Sequence, residues 1–334
     1  MSIRKYYIDV VEGRSSGGFP AILKFFLGIL SFVYLIAVNF KNWLYDSGIR
    51  RQIKVDNIKV ISVGNLTWGG TGKTSMSIYI GKNLNVKTAV LTRGYGKDEV
   101  ELLRRKLEAT PAQVFVGKDR AGILSEICND YKAAVLDDGF QYRKLKKDLN
   151  IVLVNAKRPF GNGSVLPRGS LREPKSALKR ADLIVVMYSE NSTGLEPELK
   201  KINPDAEIFR AEYVSTGLFD LSGRKSAGLD TRKDRWACFT AIGYPEGFLG
   251  TLEIEGIKPA LKFIYPDHYN LKEAEFRKIE KECMDRGISS LIITEKDKDR
   301  FGFESLLNIY IAGVVFKIHN CQNFVNRIRD VLAD

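Results

Sequence analysis

Histidine and closely spaced cysteine are both scarce in this 334-residue chain, which narrows the metal chemistry open to it. The two histidines, His268 and His319, are too few for a metal centre built from several histidines. The four cysteines stand far apart and form no C-x-x-C pair: Cys128, Cys238, Cys283 and Cys321. This spacing predicts neither a disulfide framework nor a zinc site, and it is typical of a protein in a reducing compartment.

Acidic residues are outnumbered by basic ones, 40 against 52, so the formal net charge is +12 at pH 7. Much of the excess lies in residues 141–180, which hold eleven lysines and arginines and two acids. Such a tract is often only solvated surface, but its position after a candidate metal-binding turn favours contact with an anionic substrate. Its aromatic residues, Tyr142 and Phe160, are too few for a base-stacking surface, so no nucleic-acid partner is expected.

An apolar segment lies near the start of the chain, at residues 19–40, where Lys24 is the only charged residue. Its most apolar part, residues 25–38, is shorter than the roughly 20 residues of a full membrane span. Aromatic and basic residues follow, and these are stable at the level of lipid headgroups. We therefore predict an amphipathic helix that lies on or dips into the membrane; a true span and a buried core helix stay as alternatives. The lack of a small-residue cleavage site argues against a signal peptide.

Short β-branched runs alternate with helical patterns after residue 53, which is typical of a doubly wound parallel α/β sheet. Strands are predicted at residues 58–63, 87–91, 133–136, 151–154 and 183–187. A helix is predicted at residues 74–84, because apolar residues recur there at spacings of three and four.

A glycine-rich loop joins the first of these strands to the helix, where a phosphate-binding P-loop would lie. Its residues are Thr67, Trp68, Gly69, Gly70, Thr71, Gly72, Lys73 and Thr74. Glycines let backbone amides converge on phosphate oxygens, Lys73 can reach the β- and γ-phosphates, and the Thr74 hydroxyl can bind Mg²⁺. The usual motif begins with glycine where this chain has Thr67. The loop predicts binding of ATP with Mg²⁺.

Paired acids, Asp137 and Asp138, follow the short apolar strand at residues 133–136. Acids at such a strand end in P-loop proteins commonly hold Mg²⁺ or its bound water. Asp-Gly pairs are also common in turns, so a purely structural role is the alternative. Their place beyond a P-loop strand favours the metal role.

Four further motifs follow one another along the chain: GNLTWGGTGKT at residues 64–74, RGYG at 93–96, VGKDR at 116–120, and the stretch from DDGFQ to RPFGNGSVLPRGSLREP at 137–174. In this order they resemble the tetraacyldisaccharide 4′-kinase family of lipid A biosynthesis. Weaker similarities follow as IGYPEGF at residues 242–248, YPDH at 265–268 and TEKD at 294–297. The stretch at residues 137–174 is the most specific part of the match.

The resemblance implies a kinase that transfers the γ-phosphate of MgATP to the 4′-hydroxyl of a lipid A disaccharide 1-phosphate, an anionic glycolipid. It implies a place on the cytoplasmic face of the bacterial inner membrane, peripheral or with one inserted helix, without an obligate protein partner. We expect residues 1–52 to form a membrane-associating region packed on the core and residues 53–208 to form the P-loop kinase core. Residues 209–221 are expected to form a two-stranded linker to a smaller second α/β domain at residues 222–314. Residues 315–334 are expected to form a strand and a helix that could return to the core.

The resemblance also implies roles for single residues. Asp98 matches the base that accepts the hydroxyl proton, and His268 matches the residue that orients it. Lys73 and Arg172 would stabilise charge on the transferred phosphoryl group. The remaining matches are the metal ligands Thr74, Asp137, Asp138 and Glu173 and the lipid or nucleotide contacts Arg120 and Gln141.

Three other functions stay open on the residues alone. One is a membrane-associated P-loop ATPase or switch that acts on a protein partner. A GTPase of this kind would need an N/T-K-x-D motif to recognise guanine. The nearest string, TEKD at residues 294–297, has these residues in the wrong order. The second is a nucleic-acid-binding ATPase, suggested only by net charge. The third is a kinase of the same fold with another lipid or sugar acceptor.

Overall fold

The computed structural model describes residues 3–11, 17–94, 96–188, 194–226 and 235–333. The chain divides into two compact units. The first unit comprises Met1–Tyr95, Leu103–Glu212 and Ile318–Asp334, and the second comprises Gly96–Leu102 and Tyr213–Lys317. The predicted boundaries at residues 53, 209, 222 and 315 stay a prediction.

Helices and strands alternate along most of the described chain. The helices are α1 (Ile3–Val11), α2 (Gly18–Asp46), α3 (Lys73–Asn83), α4 (Lys97–Leu107), α5 (Arg120–Ile127), α6 (Leu195–Ile202), α7 (Pro245–Ile254), α8 (Glu273–Asp285) and α9 (Cys321–Ala333). Short 3₁₀ helices lie at Lys175–Arg180 and Glu295–Arg300. The strands are β1 (Lys59–Asn65), β2 (Thr88–Thr92), β3 (Ala112–Val116), β4 (Ala133–Leu136), β5 (Leu149–Asn155), β6 (Leu183–Met187), β7 (Glu207–Asp220), β8 (Trp236–Thr240), β9 (Leu261–Ile264), β10 (Ser290–Thr294) and β11 (Asn308–Ile318).

The first unit is built on a sheet with strand order β3-β2-β4-β1-β5-β6-β7, and the pairs along it are parallel. Its central strands are buried on both faces, as their continuous runs of Val, Ile, Leu and Ala require. Ile184 and Val186 pack into one core cluster and Ala134 and Leu136 into another. The predicted doubly wound α/β sheet is confirmed.

The predicted strands and the first predicted helix of this sheet are confirmed as β1, β2, β4, β5, β6 and α3. Strand β3 and helix α5 were not predicted. In β3, Gln113 is exposed and Val114 and Phe115 are half-buried, so the segment lacks the continuous apolar run that marks a buried strand.

In the second unit the strand order is β7-β11-β10-β8-β9, and β7 contributes its residues from Tyr213 on. The pairs β11–β10, β10–β8 and β8–β9 are parallel. Phe239 and Ile293 pack into one core cluster, and Trp236 and Ile292 pack into another. The second predicted α/β fold is therefore present in this unit.

Residues 209–221 were predicted as a two-stranded linker, and that assignment stays a prediction. The structure has one continuous strand there, β7, and the chain turns only after it, at a bend where Gly223 has φ 87° and Asp220 N donates to Arg224 O. Gly217, within this strand, has φ 97°. The strand continues through it because glycine adopts positive φ without a steric penalty.

Helix α2 is the described helix that is long and apolar enough to cross a membrane, and only 6% of its most apolar window is buried. At a rise of 1.5 Å per residue its 29 residues extend over roughly 44 Å. Its buried residues include Leu27 and Ser31, and the Ser31 hydroxyl donates to Val165 O. The Tyr34 hydroxyl donates to Arg172 O over 2.9 Å. One face of α2 is thus fixed to the loop around residues 165–172, and the other is exposed.

Candidate active site

The P-loop of the first unit runs from the end of β1 into the first turn of α3. Gly69 and Gly72 have φ 99° and 88°, values that favour glycine, and Gly72 is the residue directly before the helix. Asn65 Nδ2 donates to Thr71 Oγ1 over 2.7 Å, which fixes the middle of the loop. Because the first amides of a helix lack acceptors within the helix, the turn at Lys73 and Thr74 presents donors and a partial positive charge to an anion.

Residues 170–172 form backbone hydrogen bonds with the start of this loop. Trp68 N donates to Ser170 O over 2.9 Å, and Thr67 forms an antiparallel bridge with Leu171. Thr67 does not have a positive φ, so the glycine usual at this position is not needed for the backbone conformation. Arg172, the next residue of that segment, donates its own amide to Leu66 O over 2.7 Å.

Asp138 brings two predicted phosphate-binding cations together. Both its carboxylate oxygens accept from Arg172 Nη1, over 2.7 and 2.8 Å, and Lys73 Nζ lies 3.8 Å from Oδ1. Burial raises the pKa of Asp138, but the charges of Lys73 and Arg172 outweigh it and hold the pKa below its usual value. Asp138 is therefore a carboxylate at neutral pH.

The predicted metal ligands fall into two groups. Asp137 is buried and accepts from Ser77 Oγ over 3.0 Å, and Asp138 follows it at φ 50°. Glu173 is 2% exposed and pairs with Arg180. No group of three or more His, Cys, Asp or Glu side chains suited to a metal occurs in the described parts of the chain. Mg²⁺ needs fewer, because it usually binds one or two carboxylates and keeps several waters, so a hydroxyl and the Asp137–Asp138 pair fit it.

The two predicted substrate contacts are engaged inside the first unit. Arg120 is 4% exposed, lies over the Tyr142 ring at 4.3 Å, and donates from Nη1 to Asp137 O over 2.9 Å. Gln141 Nε2 donates to Asn65 O over 2.9 Å. Both side chains therefore hold the acid pair and the strand before the loop in position.

The second unit contains the other predicted catalytic pair. His268 Nδ1 lies 2.9 Å from Asp98 Oδ1, although the two residues are 170 positions apart. Asp98 stands in the first turn of α4, and His268 has φ 60° in the loop after β9. The sequence comparison with the family thus paired two residues that are in contact.

Two cations complete this cluster, and the sequence analysis missed both. Arg300 Nη2 donates to Asp98 Oδ2 over 2.6 Å, and Lys296 Nζ lies 2.9 Å from Glu99 Oε1 and 3.1 Å from Asp267 Oδ1. The TEKD string at residues 294–297 was the available signal, because it contains Lys296 and leads to Arg300.

The cluster shifts the pKa of each member. Burial raises the pKa of Asp98, but the hydrogen bond from His268 and the charges of Lys296 and Arg300 lower it to about 2. The hydrogen bond to Asp98 raises the pKa of His268. Burial lowers the pKa of Lys296, and its three acidic neighbours outweigh this and raise it to about 12. Asp98 is thus ionised throughout the physiological range.

Gly96 lies against both members of the Asp98–His268 pair. A Cβ built there would collide with Asp98 Oδ1 and the His268 ring. We expect Gly96→Ala to separate the pair and to move the pKa of His268 from its raised value down toward about 6.5. An NMR titration measures this directly, because the chain has only one other histidine, His319.

The matched control is Gly250→Ala, also in the second unit, where a Cβ would meet open space. It should leave the His268 titration unchanged. If Gly96→Ala also leaves it unchanged, the approach of the two side chains does not depend on the missing Cβ.

Known proteins resemble this chain over nearly its whole length. A family model described as Tetraacyldisaccharide-1-P 4'-kinase (LpxK) matches residues 23–333. The chain is 32% identical over 339 residues to the Tetraacyldisaccharide 4'-kinase of Elusimicrobium minutum, covering 90% of this chain and 89% of that protein. It is 34% identical over 351 residues to the Tetraacyldisaccharide 4'-kinase of Syntrophus aciditrophicus, and the match covers 92% of this chain and 93% of that protein. A crystal structure of LpxK from Aquifex aeolicus in complex with ATP matches with a TM-score of 0.68 and 27% identity, covering 93% of this chain and 99% of that chain.

Proposed function

The chain belongs to the tetraacyldisaccharide-1-P 4'-kinase family, and from this premise we propose how its residues bind ATP and activate the acceptor. The enzyme transfers the γ-phosphate of ATP to the 4′-hydroxyl of a lipid A disaccharide 1-phosphate. The observation that carries the residue-level proposal is the contact of Lys73 and Arg172 with Asp138 at the start of α3.

The loop amides at residues 69–74 bind the phosphates of ATP, and Lys73 reaches the β- and γ-phosphates. Arg172 stabilises the charge that develops on the transferred phosphoryl group. Asp138 supports these roles, because it holds both cations in place and balances part of their charge before the triphosphate arrives. Arg120 and Gln141 act through this site, since the Arg120 side chain donates to Asp137 O and the Gln141 side chain donates to Asn65 O.

Thr74, Asp137 and Asp138 are the proposed protein ligands of Mg²⁺, and Glu173 contributes only after its pair with Arg180 opens. Bound Mg²⁺ would neutralise charge on the β- and γ-phosphate oxygens. The hard oxygen donors of the acid pair support this choice of metal.

Asp98 is the proposed base. As the 4′-oxygen attacks the γ-phosphorus and the bond to the leaving ADP oxygen breaks, Asp98 accepts the hydroxyl proton. A carboxylate with a pKa of about 2 is a weak base by itself. We therefore propose that Asp98 shares the proton with His268 and that the two residues titrate as a pair. Arg300 and Lys296 keep Asp98 ionised and oriented.

Helix α2 is proposed to bind the cytoplasmic face of the inner membrane. Its exposed apolar residues, which include Phe25, Phe26, Phe32 and Trp43, support this assignment. Contact with the membrane would bring the enzyme to its glycolipid acceptor.

The test uses ATP labelled in the γ-phosphate and two acceptors dispersed in neutral detergent: the disaccharide 1-phosphate and its 4′-deoxy analogue. We expect labelled lipid from the first and none from the second, since the analogue lacks the attacking oxygen. Mass spectrometry locates the new phosphate. Labelling of the 4′-deoxy analogue, or ATP hydrolysis that needs an added protein and yields no labelled lipid, would contradict the proposal.

A further inference from the structure

A groove of about 680 Å³ runs along the amino-terminal half of α2. Its lining from α2 recurs at helical spacings of three and four and is completed from another segment by Arg168: Ala21, Lys24, Phe25, Gly28, Ile29 and Phe32 with Arg168. A Cβ at Gly28 would meet open space, so the glycine leaves the middle of the groove open. The groove follows the border between the exposed apolar face of α2 and the face fixed to the protein by Leu27 and Ser31.

Two cations stand in this otherwise apolar lining. Within residues 3–11, 17–94, 96–188, 194–226 and 235–333, no acidic side chain pairs with Lys24 or Arg168, and the lining itself contains no acid. Arg168 is anchored at both ends of its backbone: its amide donates to Ser31 Oγ over 3.1 Å, and its carbonyl accepts from Asn162 Nδ2 over 2.9 Å. Arg168, which belongs to the basic tract at residues 141–180, is therefore held beside the amino-terminal half of α2.

We propose that the groove is a binding site for one anionic phospholipid of the membrane leaflet. The lipid phosphate binds Lys24 and Arg168, whose charges have no protein counterion in the described residues, and an acyl chain lies along Phe25, Ile29 and Phe32. Arginine and lysine are suited to this because both donate charge-assisted hydrogen bonds to phosphate oxygens. The inference rests on the proposed membrane contact of α2 and is independent of the kinase chemistry.

The dimensions and the position of the groove suit part of a membrane phospholipid. A volume of about 680 Å³ is typical of a site for a molecule of drug size. It suits a phosphate headgroup and the upper part of one acyl chain. The apolar lining is part of the exposed face of α2, which a leaflet lipid reaches by lateral diffusion.

The test compares binding of the full-length protein to vesicles of phosphatidylcholine and to vesicles of phosphatidylcholine with one quarter phosphatidylglycerol, without acceptor. We expect Lys24→Gln with Arg168→Gln to lower affinity for the anionic vesicles by about 10- to 30-fold and to leave binding to neutral vesicles unchanged. The control, Lys258→Gln with Lys262→Gln, removes the same charge from two exposed residues of the second unit. It should lower the affinity less than about threefold. Lys24→Arg with Arg168→Lys should restore preference for anionic vesicles.

Equal losses in the two charge-removing variants would overturn the inference, because attraction would then follow net charge rather than a site. Absence of vesicle binding by the unchanged protein would overturn it together with the proposed membrane contact. A raised KM for disaccharide 1-phosphate in neutral detergent, without a change in vesicle preference, would assign the groove to the acceptor and also overturn it. The labelled-ATP assay in neutral detergent distinguishes each of these outcomes from failure of the kinase assignment, since it needs no membrane.

Discussion

Lys73→Ala is expected to lower kcat by at least about 100-fold, which is a loss of about 2.7 kcal/mol of transition-state stabilisation. Lys73 lies in the first turn of α3, and its ammonium group is 3.8 Å from Asp138. Charge accumulates on the phosphoryl oxygens as the bond to ADP breaks, and a lysine at this position stabilises it. The measurement is the initial rate of label transfer to detergent-dispersed disaccharide 1-phosphate with ATP at saturation.

The control for this variant is Lys82→Ala, because Lys82 is an exposed lysine in the last turn of the same helix. It should retain kcat within about twofold, since surface substitutions away from a site have small effects. A Lys73→Ala enzyme that keeps its thermal stability and more than about one tenth of the wild-type kcat would remove Lys73 from the transition state.

Asp98→Asn is expected to reduce kcat by about 100-fold or more and to change the KM for ATP little. An amide has nearly the shape of the carboxylate but cannot take the hydroxyl proton, and general base catalysis contributes about 10²- to 10⁴-fold. Asp285→Asn, at an exposed position in α8, is the control and should leave both constants unchanged. A fall in kcat that is matched by Asp285→Asn, or no fall at all, would contradict the assignment.

The same variant has a pH-dependent effect on stability. A carboxylate whose pKa falls to about 2 on folding contributes stability above its unfolded value of about 3.9, and that contribution is lost as the pH falls through about 2. The difference in melting temperature between wild type and Asp98→Asn should therefore be largest above about pH 4 and shrink toward pH 2. Thermal melts across that range measure it.

Local sequence patterns predicted the framework of the first unit well. Strand β4 is four apolar residues followed by paired acids, and such a strand is specified by its own residues because both of its faces are buried. The continuous strand β7 at Glu207–Asp220 could not be predicted in this way. Gly217 looks like a turn locally, and only pairing with neighbouring strands decides that the chain continues straight through it.

In the candidate site too, some residues are recognisable from local sequence patterns and others only from contacts in the folded chain. Lys73 and Asp138 were predictable because each stands at a fixed place on a strand–loop–helix pattern. Arg300 was not, because its role comes from a contact with Asp98, 202 residues away, which no local pattern encodes. Arg120 and Gln141 were predicted as contacts to lipid or nucleotide, and the burial of Arg120 and the bonds of both side chains to Asp137 and Asn65 appear only in the folded chain.

A crystal structure with a non-hydrolysable ATP analogue and Mg²⁺ tests the central claim, that the loop at residues 69–74 binds the triphosphate. The account predicts β- and γ-phosphate oxygens within hydrogen-bond distance of these backbone amides and of Lys73 Nζ, with the metal bound by Thr74 and by Asp137 or Asp138. An analogue bound elsewhere, with those amides turned toward the protein interior, would contradict it.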